Sequence, residues 1–211
     1  MSKRYNKDFF KELKIKSEKY YDSIPALNWG TSKDGEYVIE DRYHFNWKVQ
    51  NSAGHLTPLK EDVFTHIKEF KKQVDEQSKK LKINRSIKAY IGADSQNYLS
   101  YTRFVCVLVL HVEKNGAHVI VSRFDLPKIY DYRYKLLREI DMLGELARNF
   151  KDFFESVDME FELHGDLNKS SNHKSHGVVE EASNYITHLG FKLKIKNDAF
   201  AATCAADHFC K

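Results

Sequence analysis

Ile87-Lys88-Ala89-Tyr90-Ile91-Gly92-Ala93-Asp94-Ser95-Gln96 reads as an apolar strand that ends on a carboxylate. Two more strand-like runs follow it, Tyr101 to Val112 and His118 to Phe124. The first of these is too continuously apolar for a half-exposed edge, which places it in the middle of a sheet. Asn115-Gly116 between the two is a hairpin signal. Three consecutive strands joined this way predict an antiparallel meander.

Working outward toward the C-terminus, the pattern turns helical and then alternates. A helix is predicted from Tyr132 to Phe150, a strand from Met159 to His164 and a polar loop from Asn168 to Gly177. A second helix, Val178 to Leu189, is closed by Gly190. The run Phe191 to Ile195 alternates with Lys192, Lys194 and Lys196, as a strand with one wet face does, and Asp198 to Cys210 is an Ala-rich final helix. Strands reached through helices run parallel to the first. The expected fold is therefore α/β, a mixed five-stranded sheet (three antiparallel strands, then two parallel) flanked by helices.

Toward the N-terminus, Thr57-Pro58 reads as an N-cap followed by proline at the first helical position. It would open a helix whose apolar face carries Val63, Ile67, Phe70 and Val74. Before it lie a short amphipathic helix from Asp8 to Tyr21, a turn-like stretch from Asn28 to Glu36, and two short strands, Tyr37 to Ile39 and Tyr43 to Val49. The expected division is an N-terminal α+β extension, 1–44, and a main domain, 45–211.

The 211 residues suit one packed domain with an appendage. A formal net charge of +4 permits binding to a phosphate backbone without requiring it. None of the 3 Cys lies in a zinc-ligand spacing, and an odd, scattered set suits a reducing compartment. The N-terminal MSKRYNKDFFKELK is charged and lacks an uninterrupted apolar core. No signal peptide or membrane span is expected, and a cytoplasmic location is.

The acids carry the functional reading. Hydrolysis of a phosphodiester by two metal ions needs several carboxylates at one spot, holding hard cations about 3.5–4 Å apart. In an open α/β sheet that spot lies beyond the carboxyl ends of the parallel strands. Asp94 closes the first strand and Asp166 the fourth, so parallel neighbours would bring the two side by side; either alone reads better as a cap of a turn or of the next helix, and the two together as a site. At about 100° per residue, Leu136, Leu143, Leu146 and Phe150 all fall within about 60° of Glu139. Glu139 thus sits in the apolar stripe that faces the sheet, whereas Asp141 and Glu145 point elsewhere. A buried carboxylate calls for a cation or a hydrogen-bonding partner, and the alternative to a metal is a buried salt bridge. A fourth acid is either Asp198, which could instead be an N-cap, or Asp207, about half a turn away around the same helix. His164, His173 and His176 lie near the expected site, where a histidine could move protons.

Ile91-Gly92-Ala93-Asp94-Ser95-Gln96, Leu136-Leu137-Arg138-Glu139, the His164-x-Asp166-x-Asn168 segment and Lys196-Asn197-Asp198-Ala199-Phe200-Ala201-Ala202 through Ala206-Asp207 together resemble the YkuK-like family of ribonuclease H-like proteins. The resemblance covers roughly Phe45 to Lys211. It implies the ribonuclease H-like fold, with Asp94, Glu139 and Asp166 in the places of the fold's metal-binding acids; Asp198 fits the acid at the start of the last helix, and Asp207 also falls in a family motif. It further implies two Mg²⁺ or Mn²⁺ ions and a nucleic-acid partner. The expected activity is a metal-dependent nuclease acting on RNA, RNA–DNA hybrid or structured DNA. The alternative is a module that keeps the fold and binds nucleic acid without cutting it, to which the basic face Lys192, Lys194 and Lys196 would contribute.

Overall fold

A computed structural model describes residues 45–51 and 55–211. The sequence readings over Asp8 to Tyr21, Asn28 to Glu36 and Tyr37 to Ile39 lie outside the described residues. The elements are β1 (Trp47–Gln50), β2 (Leu56–Pro58), α1 (Val63–Leu81), β3 (Ile87–Asn97), β4 (Tyr101–Val112), β5 (Gly116–Pro127), α2 (Tyr132–Ser156), β6 (Phe161–Gly165), α3 (His176–His188), β7 (Leu193–Lys194), a π-helical run (Ala201–Ala206) and α4 (Asp207–Cys210).

One mixed sheet of seven strands, not five, runs in the order β2-β1-β5-β4-β3-β6-β7. The meander β3-β4-β5 is antiparallel, and β6 and β7 join β3 in parallel. The two additional strands come from the segment just ahead of α1. β1 pairs antiparallel with β5, and β2 with β1. Thr57-Pro58 accordingly ends the outermost strand instead of opening a helix. Proline is tolerated there because an edge strand need not donate every N–H. The helix starts five residues later, where Asp62 Oδ1 accepts from the N–H groups of Phe64 and Thr65 at 2.9 and 3.0 Å and Oδ2 from the Thr65 hydroxyl at 2.6 Å. That set of bonds satisfies donors a helix end leaves open, which proline cannot do.

Strand alternation assigns the two faces. Ala89, Ile91, Ala93 and Ser95 of β3 point to one side, which α1 and α2 cover with Ile67, Leu136, Ile140, Leu143 and Phe150. Phe64 meets Phe150 and Phe153 at centroid distances of 5.3 and 4.7 Å, joining the two helices through aromatic contact. Val105, Val107, Val109 and Val121 point to the other side, where Ala201, Ala206, Phe209 and Cys210 pack on them. The small side chains of Ala201 and Ala206 let the backbone there lie close to the sheet. α2 extends through Ser156, beyond the expected end at Phe150, because Phe153 and Phe154 continue its buried stripe.

Candidate metal centre

β3 pairs with β6 only as far as Ala93↔Gly165 but stays paired with β4 to Asn97. Past that last parallel pair the sheet splits, and the next residue on each strand is an acid, Asp94 and Asp166. Asp94 leaves β3 on the face covered by the C-terminal segment, and Ser95 leaves it on the α2 face. The split end therefore collects side chains from both layers. A cleft of about 290 Å³ opens there, lined by Asp94, Ser95, Gln96, Tyr132, Lys135, Leu136, Glu139, Asp166, Asp207 and Lys211.

Glu139 is 2% exposed, sitting on the buried stripe of α2. Its carboxylate accepts a short hydrogen bond from the Ser95 hydroxyl. The Lys135 ammonium, one helical turn earlier, lies 3.9 Å away and donates to the Ser95 carbonyl at 2.7 Å. Burial, then the Asp94 charge, push the Glu139 carboxyl up to about 8, against the pull of Lys135 and Ser95. Burial also pushes Asp94 up to about 6; the Ser95 N–H, 2.8 Å from Asp94 Oδ1, opposes this, while Asp166 and Asp207 add to it. The same negative field raises the Tyr132 phenol and the Cys210 thiol, in each case after burial as the larger cause. Asp207 pairs with Lys211 at 2.6 Å.

Four acids against two ammonium groups leave the cleft net negative when all are ionised. Asp166 Oδ1 is buried and has no hydrogen-bond partner among the described residues. A buried, unpartnered carboxylate oxygen is costly unless a cation meets it. Hard oxygen donors, surplus negative charge and an orphaned oxygen fit a divalent cation such as Mg²⁺ or Mn²⁺. Among the described residues no three His, Cys, Asp or Glu side chains stand close enough to grip an ion as they lie. The acids border a common space, and gathering them would require Asp207 to exchange Lys211 for the cation.

Asp94, Glu139, Asp166 and Asp207 thus border one cleft, and Asp198 does not. Asp198 is exposed in the turn before the π-helical run, its N–H donating to Ile195 O at 3.0 Å. The final helix starts after it, so Asp198 is not at its N-cap. His173, in the loop, and His176, the first residue of α3, are both exposed, and neither they nor His164 lines the cleft. His164 is fully buried, with Nδ1 accepting from the Ala201 N–H at 3.1 Å. Asn168 braces its own loop through Ser170 and Ser175. Glu145 does point away from the cleft, yet it is buried, paired with Arg148 at 2.6 Å. Sequence reasoning misses Lys135 and Tyr132, although each lies at helical spacing from Glu139, four and seven residues before it.

The family model described as Ribonuclease H-like matches residues 62–211. The protein named "Uncharacterized protein YkuK" from Bacillus subtilis (strain 168) is 30% identical over 135 residues, covering 57% of this chain and 77% of that protein. No solved structure matches. Both strands that the sheet has beyond the expected five lie ahead of the matched residues.

Proposed function

The chain belongs to the ribonuclease H-like family, and on that premise we propose that it is a divalent-metal-dependent nuclease, hydrolysing phosphodiester bonds in RNA, RNA–DNA hybrid or structured DNA. The observation that carries the reading is the buried, unpartnered Oδ1 of Asp166, in one cleft with two acids whose carboxyls burial and mutual repulsion push upward. Asp94, Glu139, Asp166 and Asp207 would hold two Mg²⁺ or Mn²⁺ ions. Bound there, the cations supply neutralising charge for the scissile phosphate and for the oxygens entering and leaving it.

The chain's own groups have separable tasks. Asp94, within β3 just past its last pair with β6, and Asp166, the residue after β6, are positioned by the sheet. Glu139 is fixed by the Ser95 hydroxyl and by the helix that carries it. Lys135, anchored on the Ser95 carbonyl, offers a positive charge at the wall of the cleft. Without cations the negative cleft opposes a phosphate, so metal loading should strengthen substrate binding at the cleft itself. A cytoplasmic location is the reading that the odd, scattered set of cysteines supports. Among the described residues no helix is long and apolar enough to cross a membrane.

The test is cleavage of labelled RNA, hybrid and branched DNA with and without Mn²⁺, paired with Mn²⁺ titration. Metal-dependent cleavage that Asp94→Asn abolishes supports the reading. Cleavage at an unchanged rate in that variant, or no divalent binding at all, refutes it. Salt-sensitive binding with no cleavage would leave the alternative of a binding module.

A further inference from the structure

Leu99, Tyr130 and Tyr132 are 93%, 65% and 44% exposed, and the two loops that carry them meet beside Tyr132, which lines the lip of the cleft. Leu99 is in the turn between β3 and β4, directly beyond the strand that carries Asp94; Tyr130 and Tyr132 flank the start of α2, and Tyr132 also lines the cleft. Water-exposed apolar groups of this size are common singly, whereas a group beside a candidate active site calls for an occupant. The lip is also held in place. Asn97 Nδ2 donates to Ile129 O at 2.9 Å, the Ile129 N–H to Thr102 Oγ1 at 2.8 Å, and Lys128 Nζ to Leu99 O at 3.1 Å. The two loops therefore present one preset surface.

Its chemistry selects the occupant. Lys128 Nζ lies over the Tyr130 ring, 5.4 Å from its centroid, so a positive charge stands at a ring that is still 65% exposed. An aromatic face needs another flat face to stack on, and in a duplex the base faces are already covered by their neighbours. Unpaired bases offer theirs, together with the phosphate that the ammonium would meet. We propose that this lip is a stacking platform for unpaired bases, and that the nucleic acid enters the cleft as a single strand. The proposal rests on the nuclease reading of the cleft and narrows its substrate class.

The experiment separates binding from cleavage. Fluorescence anisotropy in EDTA would compare short labelled oligouridylate and oligothymidylate with a duplex of equal length, for the wild type, Tyr130→Ala and Tyr130→Phe. Thermal melts of the same variants would check folding. The single strands should bind more tightly than the duplex. Tyr130→Ala should weaken them about tenfold, and Tyr130→Phe, which keeps the ring, should restore binding. Duplex bound as tightly as single strand, or single-strand affinity unchanged in folded Tyr130→Ala, would overturn the platform. Parallel Mn²⁺ cleavage assays tell the two failures apart. Ring-dependent single-strand binding without cleavage upholds the platform and removes the nuclease reading; cleavage of duplex with no dependence on Tyr130 does the reverse.

Discussion

Lys135 Nζ lies 3.9 Å from Glu139 Oε1, one turn apart on the same buried helix face. It is the ammonium within ion-pair reach of that carboxylate among the described residues. Removing one partner of a buried pair leaves the other charge uncompensated. Lys135→Met should therefore destabilise the metal-free protein by about 3 kcal/mol at pH 9. At pH 6, where Glu139 can take up a proton, the loss should be smaller. Urea unfolding at the two pH values checks both.

Glu139 itself sets the alkaline limb of stability. Its folded carboxyl is raised from the usual 4.5 to about 8, so the folded state binds the proton more tightly than the unfolded chain does. Stability is then highest with the acid protonated and is lost as pH rises from about 4.5 through 8. Asp94, raised to about 6, adds a loss of the same sign at lower pH. Each tenfold difference in proton affinity between the folded and unfolded chain corresponds to roughly 1.4 kcal/mol. Glu139→Gln should accordingly stabilise the metal-free protein at pH 9 by about a few kcal/mol, while weakening Mn²⁺ binding. Mg²⁺ should raise the wild-type melting temperature more at pH 8 than at pH 6.

His118 sets the opposite limb. Its ring stacks on Phe70 at 4.5 Å, and its Nε2 lies 2.9 Å from that of His66, whose Nδ1 meets Glu61 at 3.0 Å. Burial, then the His66 charge, push His118 down to about 4. The unfolded chain therefore gains protons first, and stability falls as pH drops from about 6.5 toward 4. His118→Phe, which keeps the stacked ring, should flatten this acid limb in melts taken across that window. A limb of unchanged depth would contradict the assignment.

Asp207 and Asp198 give a direct comparison. Asp207→Asn should lower Mn²⁺ affinity about tenfold or more. Asp198→Asn, altering an exposed turn residue, should leave it unchanged. Calorimetric titration of the two variants distinguishes them.

The meander and the parallel crossovers are legible in the sequence because their apolar runs are long and punctuated by turn residues. Glu139 is legible for a related reason, being a charge inside an otherwise apolar helical stripe. β1 and β2 are not. They are four and three residues long, and Thr57-Pro58 carries local helix-start chemistry that sheet pairing overrides. The geometry around Asp198 and Asp207 is hidden differently. The spacing predicts a regular α-helix from Asp198, but a π-helical run winds more widely, and no residue pattern in Ala201–Ala206 marks that change. Lys135 gives no signal because a lysine on a helix is ordinarily solvated, and only its neighbours reveal that it is enclosed.

The hydrogen bond from the Ala201 N–H to His164 Nδ1 has a consequence for the acids. His164 stands just before Asp166, and Ala201 leads the run that delivers Asp207. An acceptor at Nδ1 puts the ring proton on Nε2, which faces Glu162 Oε2 at 3.4 Å. Burial holds the ring neutral, as that tautomer requires. A second proton would set donor against donor and push the two segments apart. Asp166 and Asp207 thus hang on two segments joined in the interior by one hydrogen bond, which only the Nε2–H tautomer of His164 can accept.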